Sequence, residues 1–464
     1  MLRYLSLLGL TALLYSCIED MDVVFPIVEE PNPGPTIEAR ADLFIRLVDE
    51  ENLPIAGAEL SLAGIGGQTD ENGRFVYLDF PVALSGVEFN AEAEGYIPTQ
   101  TRVYAAAGGQ TTFELVLLEK GSLSTFSTQE TMFFADPNTT SSIRIEANSM
   151  ETLDGQPYTG MVSGFVRYLD PLSPTFTRLQ PAGMQAVALD GSEGQLASFG
   201  MIYFEIKGEN GEALQSNAPL RISIQAGNEV DLRPESIDLW TLQLEDDAWQ
   251  EIDLSAGMDE RTYFSTLPVG CCFGELVGWI NCDIKFPSEA AIFKITDLQD
   301  IPLRQIMVQV YSSDLGLVFN NLSNNLGEAA LQVPLNEDFT LRLQTACGDF
   351  ISEHSIAAVD LATYNELQTT IANPDDWWQV VFTGEDCNQD ALDNGFVLTR
   401  NVSGYYTLSQ LQADGTVEVL VPKCGNQLGF FATAYSDPAL TQAGMEVSVV
   451  SPGFQQSITL PVCP

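Results

Sequence analysis

The chain has 464 residues, of which 64 are Asp or Glu and only 19 are Lys or Arg, giving a formal charge of −45 with a single histidine. Typical soluble chains are roughly 25% charged with the signs near balance, so here the acids are ordinary and the bases are depleted. That excludes nucleic acid as a partner, and one imidazole removes most catalytic and metal-binding constellations. The 45% hydrophobic content is that of a folded chain, long enough for about three to four domains with cores of their own.

The first elements are not a domain. Met1, Leu2 and Arg3 give a positive start, Leu5 to Leu14 is an apolar run, and Leu14, Tyr15, Ser16 and Cys17 follow. A run this short cannot cross a hydrocarbon core of roughly 30 Å; the layout is that of an export signal cut before Cys17. The segment resembles the lipobox of bacterial lipoproteins, with Tyr15 a departure from the commonest pattern, and the resemblance implies acylation of Cys17. Glu19, Asp20 and Asp22 resemble the acidic export signal of surface-exposed lipoproteins in Bacteroidetes. The implied location is the outer membrane, lipid-anchored and surface-exposed, with the membrane as a partner through the lipid alone, because no later stretch approaches the length of a spanning segment. Residues 18–40, with Pro26, Pro31, Pro33 and Pro35, read as a stiff tether.

From residue 41 onward short runs alternate apolar and polar residues between Gly, Asn, Asp and Pro clusters, and helical periodicity is scarce; the expected fold class is all-β. Leu43–Val48 is followed by a turn at Asp49 to Asn52, then Pro54, Gly57 and Ala58, strand Glu59–Leu62, a hairpin signal Thr69, Asp70, Glu71, Asn72, Gly73, strand Phe75–Leu78, strand Val87–Ala93, the Gly95 and Tyr96 pair, and a strand near Phe113–Leu118. The D-x4-P-x2-GA and T-D-x-N-G-x-F runs resemble the carboxypeptidase regulatory-like domain, a transthyretin-like, Ig-like β-sandwich found as an appendage on many secreted proteins; the resemblance implies a fold and almost nothing about function.

The chain also repeats itself. Asp297 and Pro302 reproduce the spacing of Asp49 and Pro54, Gly327 to Pro334 that of Gly415 to Pro422, and strands Phe339–Ala346 and Phe430–Tyr435 stand where Val87–Ala93 stands. We read regulatory-like sandwiches at 41–120, 288–374 and 375–464, around a larger β-rich domain at 121–287 that weakly resembles a module of Bacteroidetes surface lipoproteins, the four units lying in a row. Trp240 and Trp249, flanking a turn in that domain, read as core.

Export permits disulfides. In the repeat frame Cys282 and Cys347 fall at one end of the second copy, and Cys387 and Cys424 at the opposite end of the third, so these two pairs are expected. Cys271 and Cys272 are adjacent and not expected to bond each other, and Cys463 has no evident mate. No C-x2-C pair supports zinc.

Candidate chemistry is thin. His354, between Ser352, Glu353 and Ser355, sits in a polar stretch without a nucleophile elbow. Asp386, Asn388 and Asp390 have a calcium-like D-x-N-x-D spacing, but Ala391 stands where the loop wants glycine and Val397 where it wants a bidentate glutamate; no cofactor is expected, and calcium is the one the acids would admit. Trp377 and Trp378 are candidates for stacking on a sugar, although on a strand they point to opposite faces. The expected function is therefore non-enzymatic: display, adhesion or scaffolding at the cell surface, toward an envelope protein or polysaccharide that the sequence does not name. The alternatives are a glycan- or peptide-binding accessory protein, and a carboxylate-based hydrolase in residues 121–287.

Overall fold

The computed structural model describes residues 39–462 apart from 228–232, 244–245, 346–347, 371–376, 393–394, 402–405, 424–428, 437–442, 445 and 451–455. Cys17 and residues 18–38 of the tether fall outside this set, and Ala39 and Arg40 already belong to the first strand. The chain is all-β, several sandwiches in tandem, with a single short α-helix among the described residues, Pro174–Leu179.

One strand plan occurs three times, each time as a three-stranded sheet facing a four-stranded one. In the first copy Ala39–Val48 lies between Arg74–Val82, antiparallel, and Gln110–Val116, parallel, opposite the sheet Ile65–Gln68, Glu59–Leu62, Val87–Glu92, Thr99–Val103. Ser288–Thr296 and Trp377–Asp386 are the corresponding central strands of the other two, paired in parallel with Tyr364–Gln368 and Gln456–Val462. Strict alternation of buried and half-buried residues along Ile306–Ser312 and Phe339–Thr345 shows why these segments are strands: period two puts every second side chain into the sandwich.

The same local device opens each copy. Asp49 Oδ1 accepts the Glu51 and Leu53 N–H groups (2.9 and 2.7 Å), Asp297 Oδ1 those of Gln299 and Ile301 (both 2.8 Å), and Asp386 Oδ1 those of Asn388 and Asp390 (2.8 and 3.0 Å). The loop each carboxylate braces ends on a bridge back to the central strand, Val48 with Pro54, Thr296 with Pro302, Glu385 with Ala391. Gly73, Gly327 and Gly415 close the opposite hairpins at φ of +71°, +77° and +75°, and a Cβ on Gly327 would stand 2.5 Å from the Ile295 carbonyl oxygen. These glycines therefore answer two demands at once, a left-handed backbone and a close approach.

Between the first and second copies, one 11-stranded sheet folds over a large apolar core that includes Phe134, Ile202, Phe204, Ile224 and Ile280. Its longest strand, Glu193–Gly208, is buried without interruption from Gln195 to Phe204, because its second face is covered by the helical segment and by the neighbouring sandwiches. Trp240 and Trp249 are fully buried there, their indole N–H groups donating to the carbonyls of Asp283 (3.2 Å) and Pro181 (2.8 Å).

The sandwiches do not form a simple row. Phe44 of the first packs on Phe396 of the third, with ring centroids 5.8 Å apart, Arg74 Nη1 donates to the Tyr435 hydroxyl (2.7 Å), and the Gln110 amide donates to Gln410 Oε1 (3.1 Å). Phe44 and Arg46, on the outer face of the strand Ala39–Val48, are buried just as the inner residues Leu43, Ile45 and Leu47 are. Covering that outer face requires a partner sheet, and the third copy supplies it.

The glycine geometry separates conformation from crowding. Gly57 also has positive φ, +68°, but open space where its Cβ would go. Gly57→Ala should cost roughly 1–2 kcal/mol, the left-handed penalty alone, whereas Gly327→Ala should cost clearly more, by about 1–3 kcal/mol of added overpacking; urea unfolding midpoints of the two variants measure the difference.

Candidate functional site

A cleft of about 480 Å³ opens where the first sandwich, the central domain and the second sandwich meet. Its parts come from segments far apart in sequence: Ser85 and Arg102, Gln185 and Glu193, Asp247, and Glu289 with Gln332. Ser85 sits in a tight turn closed by the Gly86 N–H on the Ala83 carbonyl (3.0 Å), where Gly86 has φ +81° and Tyr104 leaves no room for a Cβ. Two side-chain amides hold this turn from the other units: Gln185 Nε2 donates to the Ser85 carbonyl (3.1 Å) and Gln332 Nε2 to the Leu84 carbonyl (3.3 Å). Below it the segment Pro181–Met184 crosses the Arg102 stem so closely that a Cβ on Gly183 would lie 2.7 Å from Arg102 Cβ, and Thr101 Oγ1 donates to the Gln180 carbonyl (2.8 Å).

The cleft is built of fixed polar groups, two of which have nothing to bond. Ser85 Oγ and Arg102 Nε are buried without a hydrogen-bond partner among the described residues, and Arg102 Nη1 has only a long contact of 3.5 Å to the Gly86 carbonyl. No carboxylate pairs with Arg102 among the described residues, although Glu193, Asp247 and Glu289 stand exposed around the cleft. Tyr104, one layer beneath, is fully buried, and burial pushes its hydroxyl up to about 12. Sequence reasoning found none of these residues. They belong to no motif, and only the packing of three units brings them together.

The residues singled out from the sequence are placed differently. Trp377 and Trp378 are 5% and 3% exposed, so neither can stack on a ligand; they do point to opposite faces, Trp377 into the core of the second copy and Trp378 into that of the third. Asp386, Asn388 and Asp390 form the loop brace already described, the counterpart of Asp49 and Asp297, and two backbone N–H groups hold the Asp386 carboxyl below its ordinary range. The D-x-N-x-D spacing is thus that of a hydrogen-bonded turn. Asp49, Glu51 and Glu119 do bring carboxylate oxygens within 4.8 Å of one another, but Glu51 and Glu119 lie on the open surface and Asp49 is already bonded by its turn.

Cys282, Cys271 and Cys272 also depart from expectation. Cys282 is a free thiol, fully buried in the middle of the strand Val277–Phe286, where it packs among Ile280, Leu239 and Ala256 in the core of the central domain; it cannot bridge to a loop at a sandwich end. Cys271 and Cys272 form a disulfide with each other, allowed by a tight turn in which Cys272 has φ +67° and the Phe273 N–H bonds the Cys271 carbonyl (2.8 Å). Cys387 is disulfide-bonded, with its sulfur 3.9 Å from the Val462 carbonyl oxygen. Cys347, Cys424 and Cys463 lie outside the described residues.

Catalytic arrangements fail on specific geometry. His354 Nε2 is 3.0 Å from Ser352 Oγ, and Thr369 Oγ1 donates to that same oxygen (2.7 Å). A working triad needs a carboxylate on the other ring nitrogen, and none bonds it among the described residues. Burial holds the imidazole below its ordinary range. Within 121–287 the buried acids among the described residues are Asp136 and Asp283. Asp136 is consumed by the Asn138 and Tyr168 N–H groups (2.9 and 3.0 Å). Asp283 bonds the Asn281 amide, which in turn accepts from Ser198 Oγ (2.9 Å); its Oδ1 is buried without a partner, and complete burial drives its pKa well above the ordinary carboxyl value. Neither lines the junction cleft, and each is bonded by its own separate partners, so among the described residues the two do not form a glycosidase-like couple.

No protein-family model matches this chain. Over 108 residues, 23% of its length, it is 24% identical to human cartilage intermediate layer protein 2, of which it covers 9%. Among solved structures it is similar to the shaft pilin SpaA from Lactobacillus rhamnosus GG, at 10% identity and a TM-score of 0.19 over 38% of this chain and 98% of that one. BcpA, the major pilin subunit of Bacillus cereus, is 9% identical, covering 91% of this chain and 99% of that one at a TM-score of 0.16. A streptococcal ancillary pilin is 9% identical over 50% of this chain and 93% of that one, at a TM-score of 0.15.

The buried acid yields a pH prediction. Because the folded pKa of Asp283 is raised, its contribution to stability is complete below the unfolded carboxyl value near 3.9 and is lost as pH rises through the folded pKa. Asp283→Asn should therefore raise the melting temperature of the central-domain transition at pH 7, by roughly 3 °C for each ~1 kcal/mol recovered in a unit the length of residues 121–287, and the advantage should shrink toward zero near pH 3.5. Thermal melts of both proteins across that range check it.

Proposed function

We propose that the chain is a non-enzymatic surface lipoprotein, held in the outer membrane by a lipid on Cys17, whose sandwiches display or scaffold a partner of the cell envelope. The observation that carries the reading is the threefold use of one sandwich plan around a central domain, with its sheets employed in packing on one another and no nucleophile, base and orienting acid assembled among the described residues. Regulatory-like modules are appendages in this reading, rigid bodies that set distance and orientation. The acid-rich composition suits it: a chain with 64 acids to 19 bases repels anionic neighbours and stays soluble outside the cell.

A second reading, a binding accessory for a small ligand, is favoured by the polar cleft at the three-unit junction. The tryptophans give it no support.

Anchorage is tested by fractionation. The wild-type chain should partition with the membrane and incorporate labelled fatty acid, and Cys17→Ser should carry no label and appear in the soluble fraction. Retention of the Cys17→Ser protein in the membrane would end the lipid-anchor proposal.

A further inference from the structure

We infer that the bond between Cys271 and Cys272 is a redox latch: a small dithiol opens it, and opening frees Phe273 from its place against the core of the central domain. The inference is independent of both readings above and of how the chain is anchored.

A disulfide between neighbours staples no distant parts of a fold. The stabilisation that a cross-link gives grows with the loop it closes, and here no residue lies between the two cysteines. What the bond can hold is the turn itself. Cys272 has φ +67°, and the Phe273 N–H donates to the Cys271 carbonyl, two residues back (2.8 Å). A hydrogen bond of that span over a positive φ is the rare, strained form of the γ-turn, and a residue with a Cβ avoids the left-handed region unless something keeps it there. Both cysteines are half-buried, in a loop whose Gly270 and Gly274 are exposed, so an attacking thiolate can reach them. Strained or exposed disulfides are the labile ones. Cys282, in contrast, is sealed in the core and takes no part in exchange.

What the turn positions is Phe273. Its ring packs edge-on against Phe204, with centroids 5.0 Å apart, beside the core of the central domain, in space left by Gly278, where a Cβ would stand 2.6 Å from the ring. Just beyond the loop the chain is fixed, because the Leu276 N–H donates to the Leu214 carbonyl and the Ile206 N–H to the Leu276 carbonyl (both 2.9 Å). Among the described residues the backbone of 269–275 bonds only within the stretch from Pro268 to Val277. Phe273 is therefore kept in place by its own ring contacts and by the turn that the disulfide closes. In the reduction a thiolate of the dithiol attacks one sulfur, and the other leaves as a thiolate and takes a proton. The second thiolate of the reductant then attacks the mixed disulfide and closes a ring of its own, releasing the second cysteine as a thiol. The protein gains two electrons and two protons, and the dithiol loses them. Cys272 then returns to the backbone regions that a side chain prefers, the γ-turn bond breaks, and Phe273 leaves its slot.

The test is graded reduction of the detergent-solubilised full chain with dithiothreitol, followed by iodoacetamide labelling with peptide mass spectrometry and, in parallel, limited digestion with chymotrypsin. Without reductant Cys271 and Cys272 should take no label. Both should then be labelled at a dithiothreitol concentration roughly tenfold or more below the one needed at Cys387, whose disulfide cannot join neighbours because Asp386 and Asn388 flank it. In the window where Cys387 stays bonded, cleavage after Phe273 should speed up roughly tenfold or more, as the open form becomes populated. The double variant Cys271→Ser with Cys272→Ser should be cut at that faster rate without reductant and should not respond to it. If the variant does not fold, the wild type within that window decides alone. The proposal is overturned if the two cysteines take label without reductant, if they need as much dithiothreitol as Cys387, or if cleavage after Phe273 is unchanged once both are reduced.

Discussion

A β-sandwich fills its interior by period-two alternation, but its two outer faces must meet either water or another surface. Here that second constraint organises the molecule. The strand Ala39–Val48 is apolar or buried on both sides, with Leu43, Ile45 and Leu47 inside and Phe44 and Arg46 outside, so the first sandwich is complete only when the third lies on it. The same holds for the central domain, whose strand Glu193–Gly208 needs cover on its second face. Arg46 and Arg178 share the carboxylate of Glu114 in a nearly dry site, at 2.5 and 2.8 Å. A buried ion pair contributes little unless its geometry and hydrogen bonding are complete; with two guanidiniums on one acid, this cluster specifies how the surfaces meet more than it adds stability.

Much of the architecture is legible because it repeats. Aspartate followed a few residues later by the bridge position, and glycine before a strand, are local requirements: the aspartate braces backbone N–H groups, the glycine tolerates positive φ against a carbonyl. Asp386 shows both the strength and the hazard of such reading. Its spacing to Asn388 and Asp390 resembles a calcium loop, yet it is the same brace as Asp49 and Asp297. The pattern Asp-x-Asn-x-Asp arises from turn chemistry as readily as from metal chemistry, and only the position within the repeat distinguishes them.

What sequence could not yield is whatever depends on which unit touches which. Trp377 and Trp378 look identical in the chain, and alternation alone places them on opposite faces, but their burial depends on two cores closing from two sides. Cys282 stands just ahead of the second copy, a position that suggests a connecting loop; the strand Val277–Phe286 instead continues through it, and a thiol in mid-strand has only core neighbours. The junction cleft is the extreme case, since Ser85 and Gln332 are ordinary residues until three units hold them together.

In each of the three repeats the first strand and the last run side by side in the same direction. The chain consequently enters a sandwich at one end of that pair and leaves at the other. A pull along the chain would load the ladder between them in shear, all its evenly spaced hydrogen bonds at once, where an antiparallel pair of terminal strands would open one bond at a time. Tension from an anchored end would thus meet, in every repeat, the stiffest mode that a strand pair can offer.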